Sequence, residues 1–303
     1  MFSSRRVGSH NRLPFRLPPL SKLLLHAALL LLCAVVLLPI IWAISASFKG
    51  PGELFQSVPS LWVREPTLAN YQYMLTRMAN VPLYMRNSFV VTGGAVILVC
   101  ATSGLAGYAF ARMEFRGRDL IFTLLLLSLF IPQSGGLMAL YELMSFLKLR
   151  NSLMGLILLF SSGLAVPIFV MRQTFLNLPR ELEESARIDG ANWWQVFWHI
   201  AAPMAASGSV VVAIITFVRV WGDFLVTLTM IDRDALNTIS IGVRRTATTG
   251  GTAFFADSAL VGKFATYGAD AALYLMAILP VVLIWVFLQR WFVRGLSEGV
   301  LKL

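Results

Sequence analysis

The sequence predicts an all-α integral membrane protein, with six transmembrane helices and one short helical segment on the cytoplasmic side between helices four and five. Three observations predict it. Hydrophobic residues make up 57% of the 303-residue chain and charged residues only 13%, where a soluble globule carries roughly 25%. Mean hydropathy is +0.74. The apolar residues gather into six runs of about 20 residues, the length that crosses the hydrocarbon of a bilayer.

The runs are Leu23–Ser47, Val90–Phe110, Leu120–Leu140, Leu153–Phe175, Ser207–Met230 and Ala271–Phe292. The first ends in Ser45-Ala46-Ser47, which resembles a small-residue cleavage site. Its apolar run exceeds the 7 to 15 residues of a typical signal peptide, so it is read as an uncleaved first helix. Pro132 in span three and Pro167 in span four invite kinks. The small residues of Thr102–Gly107 in span two would let neighbouring helices approach closely.

Lys and Arg placement sets the orientation. Arg5, Arg6, Arg12, Arg16 and Lys22 precede the first span, and Arg112, Arg116 and Arg118 crowd the short loop after the second. Arg172, Arg180 and Arg187 lie between spans four and five, and Arg290, Arg294 and Lys302 at the end. These fourteen fall on one side, against ten in the longer segments of the other, with Arg219 inside span five. Both termini are therefore placed in the cytoplasm. The organisation is a basic tail (1–22), a membrane domain (23–292) and a C-terminal tail (293–303).

The net charge of +10 does not mark a nucleic-acid binder. The basic residues sit at the ends of apolar runs and form no basic tract interleaved with aromatics. Lipid headgroups and topology account for them. Cys33 and Cys100 both lie within apolar runs and read as packed thiols. His10, His26 and His199 are too scattered to hold a metal. No G-x-x-x-x-G-K-[ST] loop exists to cradle phosphates; Val261-Gly262-Lys263-Phe264 lacks both the hydroxyl and the earlier glycine. Paired carboxylates and Ser/His or Cys/His arrangements are missing from the spans, which argues against a membrane-embedded enzyme.

One stretch differs from the rest: Leu178–Pro203, "LPRELEESARIDGANWWQVFWHIAAP". Pro179 suits a helix start, and Glu181, Glu183 and Glu184 complement the helix dipole in the first turns. Gly190 fits a left-handed cap. Asn192 is a good N-cap for a second helix running to about Ala201, limited by Pro203. One turn apart on it stand Trp193 and Phe197, Trp194 and Trp198, and Val196 and Ile200. Such a segment could lie in the membrane interface or insert into a groove on a soluble partner. The carboxylates favour the partner, because anionic headgroups would repel them.

In span five, Arg219 and Asp223 are four apart and would share a helix face. Either they form an internal neutralising pair, or they line a cavity with Trp221, where polar groups and an aromatic ring suit sugar hydroxyls and C–H faces. Between spans five and six, Arg244–Asp257 is either a plain outer loop or a contact for a partner on the outer side.

The stretch Leu178–Pro203 resembles the "EAA" loop of permease subunits in binding-protein-dependent ABC importers. Glu184, Ser185 and Ala186 stand for the E-A-A, Asp189, Gly190 and Ala191 for the aspartate-glycine-alanine, and Pro203 for the closing proline. Ser185 replaces the usual alanine, and Ala202 a leucine often found before the proline. "PTLANY" (Pro66–Tyr71), "RNSFVV" (Arg86–Val91), "LAGYAFARMEFRGRD" (Leu105–Asp119) and the C-terminal "LPVVLIWVFLQRWFVRGLSEGVLK" are similar to the sugar-importing, maltose-type branch, so the resemblance covers nearly the whole chain. Departures fall in span five, where Gly222 and Asp223 stand in "VWGDF", in the "TLTMI" that follows, and in "ALYELM" after span three.

The resemblance implies a permease that is not itself an enzyme and binds no cofactor, in a bacterial or archaeal plasma (inner) membrane. It further implies a second permease, two ATPase subunits carrying ATP and Mg, an extracytoplasmic solute-binding protein and a sugar substrate. The residues implied in coupling to the ATPase are Glu183, Glu184, Ser185, Ala186, Asp189, Gly190, Ala191, Trp194, Phe197 and Pro203, with Gly190 setting the angle between the two helical halves. Candidates for the translocation path are Arg219, Trp221 and Asp223. The rival reading is a stand-alone secondary transporter or channel; such proteins often show internal repeats and several buried carboxylates. No clear repeat is present here.

Overall fold

The computed structural model describes residues 19–54, 60–76, 80–131, 133–249 and 266–300. Arg5, Arg6, Arg12 and Arg16 of the basic tail, Pro132, the outer loop from 250 onward and Lys302 lie outside the described residues. Helices account for the architecture, and no strand occurs among the described residues. The principal ones are α1 (Pro19–Ser47), α2 (Ala69–Thr76), α3 (Asn80–Arg112), α4 (Arg118–Leu127), α5 (Leu137–Phe146), α6 (Leu153–Ser161) and α7 (Ala165–Leu176). They continue with α8 (Glu181–Ile188), α9 (Trp193–Met204), α10 (Ala206–Trp221), α11 (Leu225–Met230), α12 (Ile239–Thr249) and α13 (Thr266–Val300).

Three unbroken stretches are long and apolar enough to cross a membrane: Leu20–Ser47, Asn80–Arg112 and Tyr267–Arg290. Two bent pairs pass the same test together, α6 with α7 at 52° and α9 with α10 at 73°. The expected third and fifth spans are not continuous helices. Span three stops in a 3-10 turn at Ser128–Phe130, and Ile131 is extended at φ −83°, ψ 117°, as a residue before proline tends to be. Span five stops at Trp221, and Gly222 is its cap. Asp223 then accepts from the amides of Val226 (3.1 Å) and Thr227 (3.3 Å), starting α11. Arg219 and Asp223 therefore do not share one helix face.

α3 is the central helix. It packs against α6, α7 and α10. Close approach to α7 requires a glycine at one point: a Cβ on Gly107 would lie 2.6 Å from the Met171 Cβ and 2.9 Å from the Arg172 amide nitrogen. Gly104 has open space at that position, so of the two glycines in Thr102–Gly107 only Gly107 acts as the expected close contact. Tyr108, Met171, Phe175, Phe197 and Ala201 form one buried cluster at the C-terminal end of α3. Met74, Tyr84, Phe217, Trp221 and Leu273 form another near its N-terminal end. Along α1 the leucines face outward, Leu30 being 71% exposed. Such a helix needs hydrocarbon as its solvent.

At its N-terminal end α3 is held by the turn Asp234–Ile239. Asp234 accepts from Asn80 and from the Tyr84 hydroxyl and is paired with Arg245. Asn87 donates to the carbonyls of Ala235 (2.9 Å) and Asn237 (3.0 Å), and Ser88 receives the Ile239 amide (2.8 Å). Burial alone would raise the Asp234 carboxyl. Hydrogen bonds from Tyr84, Arg245 and Asn237, with the Arg245 charge, outweigh it and hold Asp234 below the usual carboxylate range. A depressed carboxyl adds stability above its unfolded value of about 3.9 and loses it as pH falls through the folded value. Asp234→Asn should therefore unfold at a lower temperature than wild type near neutral pH, with the gap closing below about pH 4. Thermal unfolding of the detergent-solubilised chain measures this. A gap that stays constant with pH would show that the charge of Asp234 contributes nothing.

Candidate functional site

The Leu178–Pro203 segment folds as two short helices around a glycine, as its residues dictate. At the end of α8, Gly190 takes φ +90°. The Ala191 amide returns to the Ala186 carbonyl (3.0 Å) and the Gly190 amide to that of Arg187 (3.1 Å), which is a complete Schellman closure. Asn192 then starts α9 through a capping box: its side chain accepts from the Gln195 amide (2.9 Å), and the Gln195 side chain accepts from the Asn192 amide (2.8 Å). Pro203 does not end this second helix as expected. The helix widens into a π-turn over Phe197–Ala201, carries on to Met204, and bends only at Ala205. Pro203 cannot donate to the carbonyl one turn back, and a local widening accommodates that loss.

A buried ion pair fixes α8 to the bundle. Arg112, at the C-terminus of α3, donates through Nε to Glu183 Oε1 at 2.9 Å and through Nη2 to the Leu178 carbonyl at 2.8 Å. The Tyr108 hydroxyl donates to Glu183 Oε2 at 3.0 Å. The two charged side chains are 4% and 9% exposed. Phe197 is buried against Tyr108 (ring centroids 5.2 Å), and the Arg187 guanidinium lies 4.2 Å over the Trp193 ring. Of the ten residues implied in coupling, Glu183 and Phe197 thus face the chain's own core. Glu184, Ser185, Asp189, Gly190, Trp194 and Pro203 are exposed, and Ala186 and Ala191 are half-buried.

Among the charged and polar side chains that the segment exposes stand several large apolar ones. Ile188 is 86% exposed, Trp194 62% and Trp198 58%, with Leu182 beside them at 47%. Sequence periodicity alone could not assign Phe197 inward and Trp198 outward. In the sequence Arg112 is a topological charge and Tyr108 a motif residue, and no local pattern links them to Glu183, 71 and 75 residues further on.

Each of the three candidate path residues has partners of its own. Arg219 Nη2 donates to the Phe160 carbonyl at 2.7 Å, the open C-terminal end of α6. A Cβ on Gly163 would lie 2.6 Å from its Nη1. Arg219 therefore fills the break between α6 and α7. Trp221 is buried, stacks on Phe217 at 5.3 Å and donates Nε1 to the Ala277 carbonyl at 2.9 Å. Asp223 caps α11. Among the described residues no group of three or more metal-ligating side chains comes together. Asp270 escaped the sequence reading because it falls one residue before the apolar run; α13 buries it within a span.

Helices of membrane-crossing length with a short helix pair anchored to them by an internal ion pair make a multi-pass membrane protein. The family described as "Binding-protein-dependent transport system inner membrane component" matches residues 52–298, and the chain belongs to it. It is 33% identical to a diacetylchitobiose uptake system permease protein of Streptomyces coelicolor, over 91% of this chain and 88% of that one. It is 30% identical to an arabinooligosaccharides transport system permease protein of Halalkalibacterium halodurans, over 94% and 98%. The fold is similar to a chain of a bacterial ABC transporter involved in the import of the acidic polysaccharide alginate. That chain has a TM-score of 0.80 at 19% identity, over 90% of this chain and 96% of that one.

Removing one partner of a buried ion pair leaves the other charge uncompensated, a cost of about 3–5 kcal/mol. Glu183→Ala should therefore release α8. Limited trypsin digestion should cut at Arg180 and Arg187 much faster than in wild type, while Glu184→Ala, on the exposed side, should cut at the wild-type rate.

Proposed function

We propose that this chain is the permease subunit of an ABC importer for a mono- or oligosaccharide, forming half of the pathway and coupled through Glu181–Ile200 to a separate ATPase. The observation that carries this is the combination at one segment of an internal anchor and an external apolar surface. Glu183 and Phe197 hold the segment to α3, while Ile188, Trp194 and Trp198 remain open to a partner. In this reading that surface docks into a cleft on an ATPase subunit. Closing of the ATPase pair then moves the segment with α7 and α10, the two helices it joins. The second permease, two ATPase subunits holding ATP and Mg, and an extracytoplasmic binding protein complete the assembly.

The carbohydrate class is supported by the names of the relatives, which transport diacetylchitobiose and arabinooligosaccharides. A bacterial alginate ABC transporter, of TM-score 0.61, is seen in complex with a pentasaccharide-bound periplasmic protein. The topology that fits is six crossings with both termini in the cytoplasm. The third crossing is then made by α4 and α5 with the break between them, and the fifth by α10 and α11.

Gly190 offers the test. Open space surrounds its Cβ position, so a substitution there acts through the backbone. A residue with a side chain at φ +90° costs roughly 1–2 kcal/mol and should change the angle between α8 and α9. In membranes of cells expressing the chain with its neighbouring genes, an ATPase should co-purify with wild type. With Gly190→Trp it should be lost, or no longer respond to solute. An ATPase absent from both preparations contradicts the reading.

A further inference from the structure

Three interruptions of the helices meet at one cavity of about 640 Å3. Ser128, Leu129 and Ile131 line it from the break that follows α4, Ser162 and Gly163 from the break between α6 and α7, and Arg219 from the last turn of α10. α4 rises about 15 Å over its ten residues and α6 about 14 Å over its nine. Each is about half of a roughly 30 Å hydrocarbon layer. Unwound backbone at such a depth is tolerated where it is buried in protein or lines a wet cavity.

Among the described residues that line the cavity, Arg219 alone is charged. It is half-buried. Its Nη2 is given to the Phe160 carbonyl, but a carbonyl satisfies one N–H without neutralising the charge. No ion pair to Arg219 forms among the described residues, and Asp223 is turned to the amides of Val226 and Thr227. Nε and Nη1 have no hydrogen-bond partner among the described residues and stay accessible. α7 presents its N-terminus to the same cavity through Ala165 and Val166, with no side chain to cap it. The positive end of that helix dipole adds to the field of the guanidinium. A cation kept within a span is expensive unless something pairs with it, and the described part of this chain supplies no counter-charge.

We propose that this cavity receives the anionic group of an acidic saccharide, with the carboxylate of a uronic-acid unit set against Nε and Nη1 of Arg219. The proposal rests on the carbohydrate reading above and narrows it to a charged sugar. Hydrogen bonds from a guanidinium to a carboxylate are charge-assisted, and one positive charge meets one negative charge. A phosphorylated sugar would bring nearly two. The Ser128 and Ser162 hydroxyls donate to the carbonyls of Leu125 (2.6 Å) and Leu159 (2.7 Å), which leaves them free to accept from the hydroxyls of a sugar ring. A neutral sugar would leave the guanidinium charge uncompensated. A lipid phosphate shares the anionic chemistry but belongs at headgroup level, about half a hydrocarbon layer away from the breaks.

The test uses the complete transporter in proteoliposomes, with the binding protein saturated. Initial uptake is compared for di- and trisaccharides of galacturonate, glucuronate and mannuronate and for their neutral galactose, glucose and mannose counterparts. Wild type should carry at least one acidic sugar faster than its neutral counterpart. Arg219→Gln should lower that ratio of rates by about tenfold or more, the loss expected for hydrogen bonds between charged groups. Arg219→Lys, which keeps the charge, should retain most of it. Comparing the ratio between wild type and variant cancels the preference of the binding protein. Gly163→Ala keeps the arginine but puts a methyl 2.6 Å from Nη1, so the guanidinium must move and the ratio should fall again. Val218→Ala, beside Arg219 but not lining the cavity, should leave the ratio unchanged. An equal fall for both kinds of sugar, or no change, would reduce Arg219 to a cap for α6 and overturn the proposal. Should Arg219→Gln fail to assemble, Gly163→Ala decides by the same ratio. Mass spectrometry of the purified transporter tests the lipid source. An anionic phospholipid held by wild type and lost from Arg219→Gln, with an unchanged sugar ratio, would assign the cavity to lipid and overturn the saccharide. Wild-type uptake of the neutral sugars alone would overturn the acidic saccharide and leave the carbohydrate reading standing. Uptake of neither kind would contradict that reading itself.

Discussion

The contact between Arg112 and Glu183 joins the short helix α8 to the end of the membrane-length helix α3. α8 has only eight residues, far below the length at which a helix is stable alone in water. It persists because Glu183 is drawn into a pocket where Arg112 and Tyr108 satisfy both carboxylate oxygens. A buried pair of this kind adds little net stability over an apolar replacement, yet it is expensive to break from one side. That asymmetry suits an anchor: the segment has one place to sit, at the end of α3. The aromatic cluster of Tyr108, Phe175 and Phe197 extends the contact to α7 and α9.

Three of the breaks between helices are closed by side chains, which is what a low-dielectric surrounding demands of exposed backbone groups. Arg219 meets the open carbonyl end of α6, Asp223 caps the amides of α11, and Asn192 with Gln195 caps α9. Where helices cross without a break, small residues do the work instead, Gly107 against α7 and Gly208 against Thr174. The charges within span five thus serve the bends of the helices, and among the described residues the buried carboxylate oxygen without a hydrogen bond is Asp270 Oδ1, in the last helix.

Much of this was legible in the sequence, and the failures share a cause. Local signals with a defined geometry held: Gly190 as a left-handed cap, Asn192 as an N-cap, and the bend in span four before Pro167. The spans themselves were found by apolar length, which says nothing about continuity. Spacing alone puts Arg219 and Asp223 on one face, but Gly222 and the capping habit of aspartate interrupt the helix between them. Which way Phe197 and Trp198 point depends on Tyr108, nearly 90 residues earlier in the chain, and no local pattern carries that. Asp270 sat just outside a run defined by hydropathy, so the criterion that located the span also hid its most unusual residue.

Under the proposed function, Leu178–Pro203 binds its own bundle through an inner face and an ATPase through an outer one. A photo-crosslinking amino acid placed at Ile188 or Trp198, compared with one at Phe197, tests this directly in native membranes. The expected result is an adduct with an ATPase subunit from Ile188 and Trp198, and only intrachain products from Phe197. Adducts confined to lipid at the two outer positions would contradict it and leave the segment as a helix resting on the membrane surface.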